Sequence, residues 1–127
     1  MIDLRKISGL PLYLKEDNDK LVFTEDLAEV EPETRRLEDM REVLMDKEIR
    51  EPIELYYMYR DVYLPHDKNL ILAHNLRYDI AVILPGMLGK EYMKSAGHYH
   101  PYVPGTDLTY PEVYEIIYGE AFSLNFT

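Results

Sequence analysis

Two histidines and a glutamate are the residues of this chain best suited to carry chemistry. His98 and His100 stand two residues apart, and Glu112 follows after a loop that contains proline and glycine. Residues two apart on a β-strand point to the same face, so both imidazoles can approach one ion. If hairpin pairing brings Glu112 beside them, its carboxylate adds an oxygen ligand to the two imidazole nitrogen ligands. Such a set suits Fe²⁺, Mn²⁺, Ni²⁺ or Zn²⁺, but an isolated His-x-His pair is more often structural, so the surrounding sequence must decide.

The composition narrows the classes of partner. The chain has no cysteine, which leaves His and carboxylates as its strong metal ligands and excludes disulfides. Its net charge of −10, with no cluster of Lys or Arg, makes nucleic acid a poor candidate partner. A small anionic ligand remains compatible, because a few backbone amides and one local cation can bind a phosphate. Since neither a secretory signal nor a membrane-spanning run is present, we expect no membrane association and a cytoplasmic location.

The first part of the chain predicts a hairpin followed by one helix. Leu10–Leu14 and Leu21–Phe23 flank the polar segment Lys15–Lys20, which has the composition of a turn. From Pro32 to about Lys47 the apolar spacing becomes helical, with proline suited to the first position. The apolar residues that set this spacing are Leu37, Met40, Val43 and Leu44.

The rest of the chain predicts short strands. They are rich in aromatic and β-branched residues and are separated by Pro, Gly, Asp and Asn, with a turn at Pro85–Gly89. Short strands with a single helix favour an antiparallel sandwich or barrel. The predicted strands are Ile53–Tyr59, Asn69–Ala73, Tyr78–Leu84, Glu91–Lys94, Glu112–Tyr118 and Ala121–Phe126.

The spacing around the histidines resembles a known motif. After His-x-His comes Glu112, then six residues, then Gly119. This order is similar to the first cupin motif, which supplies three of the four usual metal ligands on a small β-barrel. A narrower resemblance lies upstream, where Pro85–Tyr92 and Ser95–His100 resemble the signature of the cupin-type phosphoglucose isomerases, found chiefly in archaea. Arg35–Met40 and the Tyr-rich segment Tyr56–Tyr59 also resemble that family.

The resemblance implies a fold, a cofactor and an activity. The fold would be mainly β, a single cupin-like (jelly-roll) antiparallel barrel over residues 1–127, with hairpin and helix in 1–50 and barrel strands in 51–127. The cofactor would be one divalent transition metal per chain, with Fe²⁺ as the first choice, bound by His98, His100 and Glu112. The activity would be interconversion of glucose 6-phosphate and fructose 6-phosphate by a homodimer, through either a cis-enediol or a hydride shift.

The resemblance also implies roles for other residues. Glu112 is the candidate base, and Tyr114, on the same face by strand alternation, is a candidate catalytic residue lining the sugar site. Ser95 and the amide of Gly97 match the phosphate-binding positions. Candidates for further substrate contacts are Tyr56 and Lys90, with Lys94 as a second nearby cation.

The C-terminus departs from the family pattern. Family members continue through more strands that carry a histidine as fourth ligand, whereas this sequence stops at Thr127. We therefore expect a truncated barrel, either a fragment or a short relative completed by a partner chain. His66 and His74 are expected to be surface or core residues. Two alternatives stay open: a non-catalytic sugar-phosphate sensor or assembly module, and another metal-dependent cupin chemistry such as dioxygenation.

Overall fold

The computed structural model describes residues 1–96 and 100–119, and the chain divides into two compact units, Met1–Ala96 and Gly97–Thr127. The described residues are mainly β, with antiparallel sheets and short helices. The strands are β1 (Ile2–Asp3), β2 (Leu12–Lys15), β3 (Lys20–Phe23), β4 (Glu33–Arg36), β5 (Glu54–Tyr59), β6 (Ile80–Ile83), β7 (Met87–Leu88) and β8 (Glu91–Tyr92). The helices are α1 (Arg5–Ser8), α2 (Leu37–Met40) and α3 (Lys68–Ala73), with a 3₁₀ turn at Arg41–Val43.

The predicted N-terminal hairpin is confirmed as β2 and β3. They pair antiparallel, with Leu12 opposite Phe23, and β1 adds a third strand beside β2. The turn between them suits its residues, because Asp19 adopts a left-handed φ of 55° that Asp tolerates better than most residues. The side chain of Asn18 accepts a hydrogen bond from the Lys20 N–H at 3.1 Å, which helps to close the turn.

A second sheet, with the order β4-β5-β6, contains the predicted Tyr-rich strand at its centre. The predictions of strands in 53–59 and 78–84 are confirmed by β5 and β6. One residue of β5 joins this sheet to the first: the Tyr59 hydroxyl accepts a hydrogen bond from the Leu21 N–H at 3.1 Å, and its ring lies 5.7 Å from that of Phe23. Tyr59 is only 1% exposed, so this contact lies in the core between the sheets.

The predicted helix over Pro32–Lys47 is wrong at both ends, because helical structure spans only residues 37–43, as α2 and the 3₁₀ turn. Glu33–Arg36 forms β4, which pairs with β5, and helical structure begins only at Leu37. The physical reason is that these four residues are all polar, so they contribute nothing to an apolar helix face, whereas strand pairing satisfies their backbone groups. Val43, predicted to be apolar-facing, is 52% exposed.

The apolar residues after β4 still build a core. Those at 37, 40 and 44 are 3–4% exposed, so the predicted spacing of three and four selects the buried residues although only α2 and the 3₁₀ turn are formed. The buried cluster consists of Leu37, Met40, Leu44, Leu55, Tyr56 and Leu88. It thus joins α2, β5 and β7 within the first unit.

The predicted strand Asn69–Ala73 is wrong, because Lys68–Ala73 forms α3. A short apolar run of Leu, Ile and Ala does not distinguish strand from helix by its pattern alone, and Leu and Ala favour helix. The Ile71 N–H donates to the Asp67 carbonyl at 3.0 Å, a helical bond, and Leu70 and Leu72 are exposed.

The segment predicted as a turn at Pro85–Gly89 is partly strand. Met87–Leu88 forms β7 and pairs with β8, across a two-residue connection at Gly89 and Lys90. Gly89 has a φ of 66°, a left-handed conformation that glycine adopts without strain. The strand predicted over Glu91–Lys94 is observed for its first two residues.

The second unit contains a small hairpin-like loop. Tyr102 and Thr109 form an antiparallel bridge, and the Tyr110 N–H donates to the Pro101 carbonyl at 3.0 Å. The predicted strand Glu112–Tyr118 is wrong, since no strand is assigned among its residues, all of which are described. Pro111 has no N–H to donate, so the antiparallel pairing between Pro101 and Tyr110 cannot continue beyond Tyr110. The predicted strand Ala121–Phe126 lies outside the described residues.

The antiparallel sheets of the described residues agree with the predicted fold class, which is mainly β and cupin-like. The three sheets have three, three and two strands, and within 1–96 and 100–119 they do not form a closed barrel. The interpretation of residues 1–127 as a single domain stays a prediction. None of the helices in these ranges has the length and apolarity that crossing a membrane requires.

Candidate metal and sugar-phosphate site

The second unit brings two of the predicted ligands together. The loop that pairs Pro101 with Tyr110 returns the chain to its starting point, so His100 and Glu112 flank the same end of it. The His100 Nε2 lies 3.3 Å from the Glu112 Oε2. Their side chains are 27% and 40% exposed, so both remain open to a ligand from solvent.

Tyr114 engages the second oxygen of the same carboxylate. Its hydroxyl donates a hydrogen bond of 2.5 Å to the Glu112 Oε1. This hydrogen bond, together with burial and the carboxylate charge, raises the pKa of Tyr114 to about 12, so the phenol keeps its proton at neutral pH. The two side chains contact each other although the segment is not a strand, so strand alternation is not the reason for their contact.

The donors that the structure describes fit a transition metal in type and spacing. Two ligands about 2.1 Å from one ion, at an angle of roughly 90° to 110°, are separated by about 3.0 to 3.4 Å. The observed 3.3 Å between the imidazole nitrogen and the carboxylate oxygen falls within that interval. A neutral imidazole and a carboxylate are also ligands that Fe²⁺, Mn²⁺, Ni²⁺ and Zn²⁺ accept.

The described residues hold only part of the predicted set. His98 and Gly97 lie outside the described residues, and among those in 1–96 and 100–119 no group of three or more His, Cys, Asp or Glu is arranged to hold a metal. Of the three predicted metal ligands, the structure therefore describes two, His100 and Glu112. The role of all three predicted ligands stays a prediction.

The candidate phosphate and cation residues of the first unit differ in their surroundings. Ser95 is exposed, and Lys90 is exposed in the tight connection between β7 and β8. Lys94 is engaged elsewhere, since its ammonium donates to the Val43 carbonyl at 2.6 Å and to the Glu91 carboxylate at 3.0 Å. Of the two lysines, Lys90 is thus the one whose charge is not already paired by these contacts.

The remaining candidates lie in the first unit and are described by themselves. Tyr56 is 4% exposed and belongs to the apolar core cluster, which favours a packing role for its ring. His66 is 68% exposed beside Asp67, and His74 is exposed with its Nδ1 2.9 Å from the Leu70 carbonyl oxygen. Both histidines are surface residues, one of the two locations, surface or core, that the sequence predicted for them.

The sequence did not predict one contact within the site. Alternation placed Tyr114 on the face of Glu112, but it did not indicate that the phenol would bind the carboxylate itself. The only signal is the Glu-x-Tyr spacing, which is common in strands and carries little information alone. The division of the two carboxylate oxygens between Tyr114 and His100 emerges from the folded loop.

The described residues are mainly β, with antiparallel sheets and few helices, as expected of a cupin-like fold. The model of the glucose-6-phosphate isomerase family matches residues 26–125, more than three quarters of the chain. The chain therefore belongs to this family, the cupin-type phosphoglucose isomerases. Neither the curated proteins nor the solved structures contain a match.

Proposed function

We propose that the chain carries the metal centre of an aldose-ketose isomerase that interconverts glucose 6-phosphate and fructose 6-phosphate. Membership of the family supports an isomerase function. The observation that carries the metal dependence is the approach of His100 Nε2 to Glu112 Oε2 at 3.3 Å, inside a sequence with cupin-motif spacing. We propose His98 as the third ligand.

The reaction moves one hydrogen between C1 and C2 of the sugar and one proton between the oxygens on these carbons, so every atom is conserved. In the enediol route, Glu112 accepts a proton from one carbon, exchanges it with solvent, and delivers a proton to the neighbouring carbon. In the hydride route, the hydrogen passes directly between the two carbons, and Glu112 serves only to hold the site. The bound metal would polarise the sugar oxygens and stabilise the charge that develops on them.

The substrate would be held by its phosphate. Ser95 supplies an exposed hydroxyl, Lys90 an exposed ammonium, and Gly97 a backbone amide by position in the motif. Lys94 is the weaker choice, because Glu91 already neutralises it. Fe²⁺ as the native metal, a homodimeric state and a cytoplasmic location remain part of the same proposal.

The first experiment measures turnover and its metal dependence. Chelator-treated protein is supplied with Fe²⁺ or Mn²⁺, and the glucose 6-phosphate formed from fructose 6-phosphate is followed with a coupled dehydrogenase. We expect activity that appears with metal and disappears with chelator. Running the reaction in D₂O separates the routes, since only the enediol route incorporates solvent deuterium into the product carbon.

The variants His100→Ala and Glu112→Gln test the assigned residues. Each removes or weakens one donor, so we expect loss of activity by at least about 100-fold, consistent with removal of a primary metal ligand. Asp107→Asn is the matched control, because it changes an exposed acid of the same loop and should retain activity. Phosphosugar binding without turnover in the unmodified protein would instead support the non-catalytic sensor.

A further inference from the structure

Tyr114 contacts the candidate ligand Glu112 rather than open solvent alone. Its phenol donates to the Oε1 of Glu112, while the Oε2 of the same carboxylate faces His100. Because each oxygen is engaged by a different side chain, rotation of the carboxylate would break at least one of the two contacts. A carboxylate with a single contact would rotate about its last bond.

This arrangement matters because the site is exposed. Glu112 is 40% exposed at its side chain, and among residues 1–96 and 100–119 it belongs to no strand whose backbone hydrogen bonds would hold it. Residues that orient metal ligands by hydrogen bonding typically change metal affinity by about 10- to 100-fold when removed. The phenol of Tyr114 supplies a hydrogen bond of this kind to the Glu112 Oε1.

We infer that Tyr114 is a positioning residue that holds Glu112 ready to bind the metal with its Oε2. This inference rests on the proposed function and deepens it, since the family resemblance assigns Tyr114 to the sugar. The two roles predict different effects. A positioning role weakens metal binding in the absence of any sugar, whereas a role confined to the sugar changes KM and leaves metal binding intact.

The test is the Tyr114→Phe variant, which removes one oxygen and keeps the ring. Chelator-treated protein is titrated with Mn²⁺, and the free ion is measured by electron paramagnetic resonance. We expect the dissociation constant for Mn²⁺ to rise by about tenfold, as for other residues that orient a ligand. At saturating Mn²⁺ we expect the KM for fructose 6-phosphate to change by less than about twofold, since the carboxylate is then held by the ion.

Tyr118→Phe is the matched control, because it removes a phenol that is 63% exposed four residues further along. It should leave Mn²⁺ affinity unchanged, and far-ultraviolet circular dichroism should show that both variants keep the fold. Unchanged Mn²⁺ affinity in Tyr114→Phe, with or without a raised KM, overturns the inference while the proposed function stands. Failure of the unmodified protein to bind Mn²⁺ overturns both.

Discussion

At the scale of single residues, tyrosine performs several distinct tasks in this chain. Tyr59 is buried and its hydroxyl accepts a hydrogen bond from a backbone N–H of the neighbouring sheet. Tyr114 is 52% exposed and donates to a carboxylate. Tyr57 also donates to a carboxylate, that of Glu54, and burial followed by this bond raises the pKa of Tyr57 to about 12. The ring supplies apolar area in each case, and the surroundings of the hydroxyl decide its role.

Tyr59→Phe should destabilise the first unit. The change leaves the buried Leu21 N–H without the oxygen that accepts its hydrogen bond, which costs about 1 to 3 kcal/mol. Urea unfolding followed by circular dichroism measures the free energy of unfolding. Tyr92→Phe is the control, because that residue is 83% exposed and should change the free energy by less than about 0.5 kcal/mol. Equal stability of the Tyr59 variant and the parent would show that the contact contributes nothing.

At the scale of elements, β8 is tied to the segment after the 3₁₀ turn. The Glu91 carboxylate accepts from the Met45 N–H at 2.9 Å and from the Lys94 ammonium, which also donates to the Val43 carbonyl. Burial alone raises the pKa of Glu91, but the two hydrogen bonds outweigh it and leave this pKa below its ordinary value of 4.5. The contact therefore favours the ionised carboxylate.

The stabilisation from Glu91 should depend on pH. A lowered pKa in the folded state means that the stabilisation is full above the unfolded value of about 4.5 and is lost as pH falls through the folded value. Glu91→Gln should therefore cost about 1 kcal/mol of unfolding free energy at pH 7 and progressively less below pH of about 4.5. Urea unfolding across this pH range measures the difference. Glu29→Gln, at an exposed position, serves as control, and a cost that does not change with pH would contradict the assignment.

At the scale of the whole molecule, the first unit depends on a core drawn from distant segments. Leu88 comes from the two-residue strand β7 and is 0% exposed, yet it packs in the same cluster as Leu37 and Leu55. A strand this short has few backbone hydrogen bonds of its own. Burial of this side chain therefore acts together with the Glu91 and Lys94 hydrogen bonds to set the position of the β7–β8 hairpin.

Leu88→Ala should destabilise the first unit as a whole. Removing a fully buried leucine side chain costs about 2 to 5 kcal/mol, depending on how far the cavity collapses. Met87→Ala is the matched control, since the preceding residue of the same strand is 45% exposed and should cost less than about 1 kcal/mol. Thermal and urea unfolding compare the two variants. A small effect of Leu88→Ala would show that the hairpin is not part of the cooperative core.

Much of the architecture could be read from local patterns. The polar segment between Leu14 and Leu21 predicts a turn because Asp and Asn tolerate its backbone angles, and the β-branched and aromatic runs of β5 and β6 predict strands. The spacing of His98, His100 and Glu112 predicts a shared site, for which the structure describes the approach of His100 to Glu112. These patterns depend on a few neighbouring residues, so they can be recognised in the sequence without knowledge of the fold.

Other features were decided only by tertiary contacts. Glu33–Arg36 is a strand because β5 offers it a pairing partner, which local composition does not record. The allocation of the Glu112 oxygens to His100 and Tyr114 depends on where the loop closes. For β4 the deciding contacts come from a strand about twenty residues further along the chain, and for the site they come from closure of the loop between His100 and Glu112, so local patterns alone do not contain them.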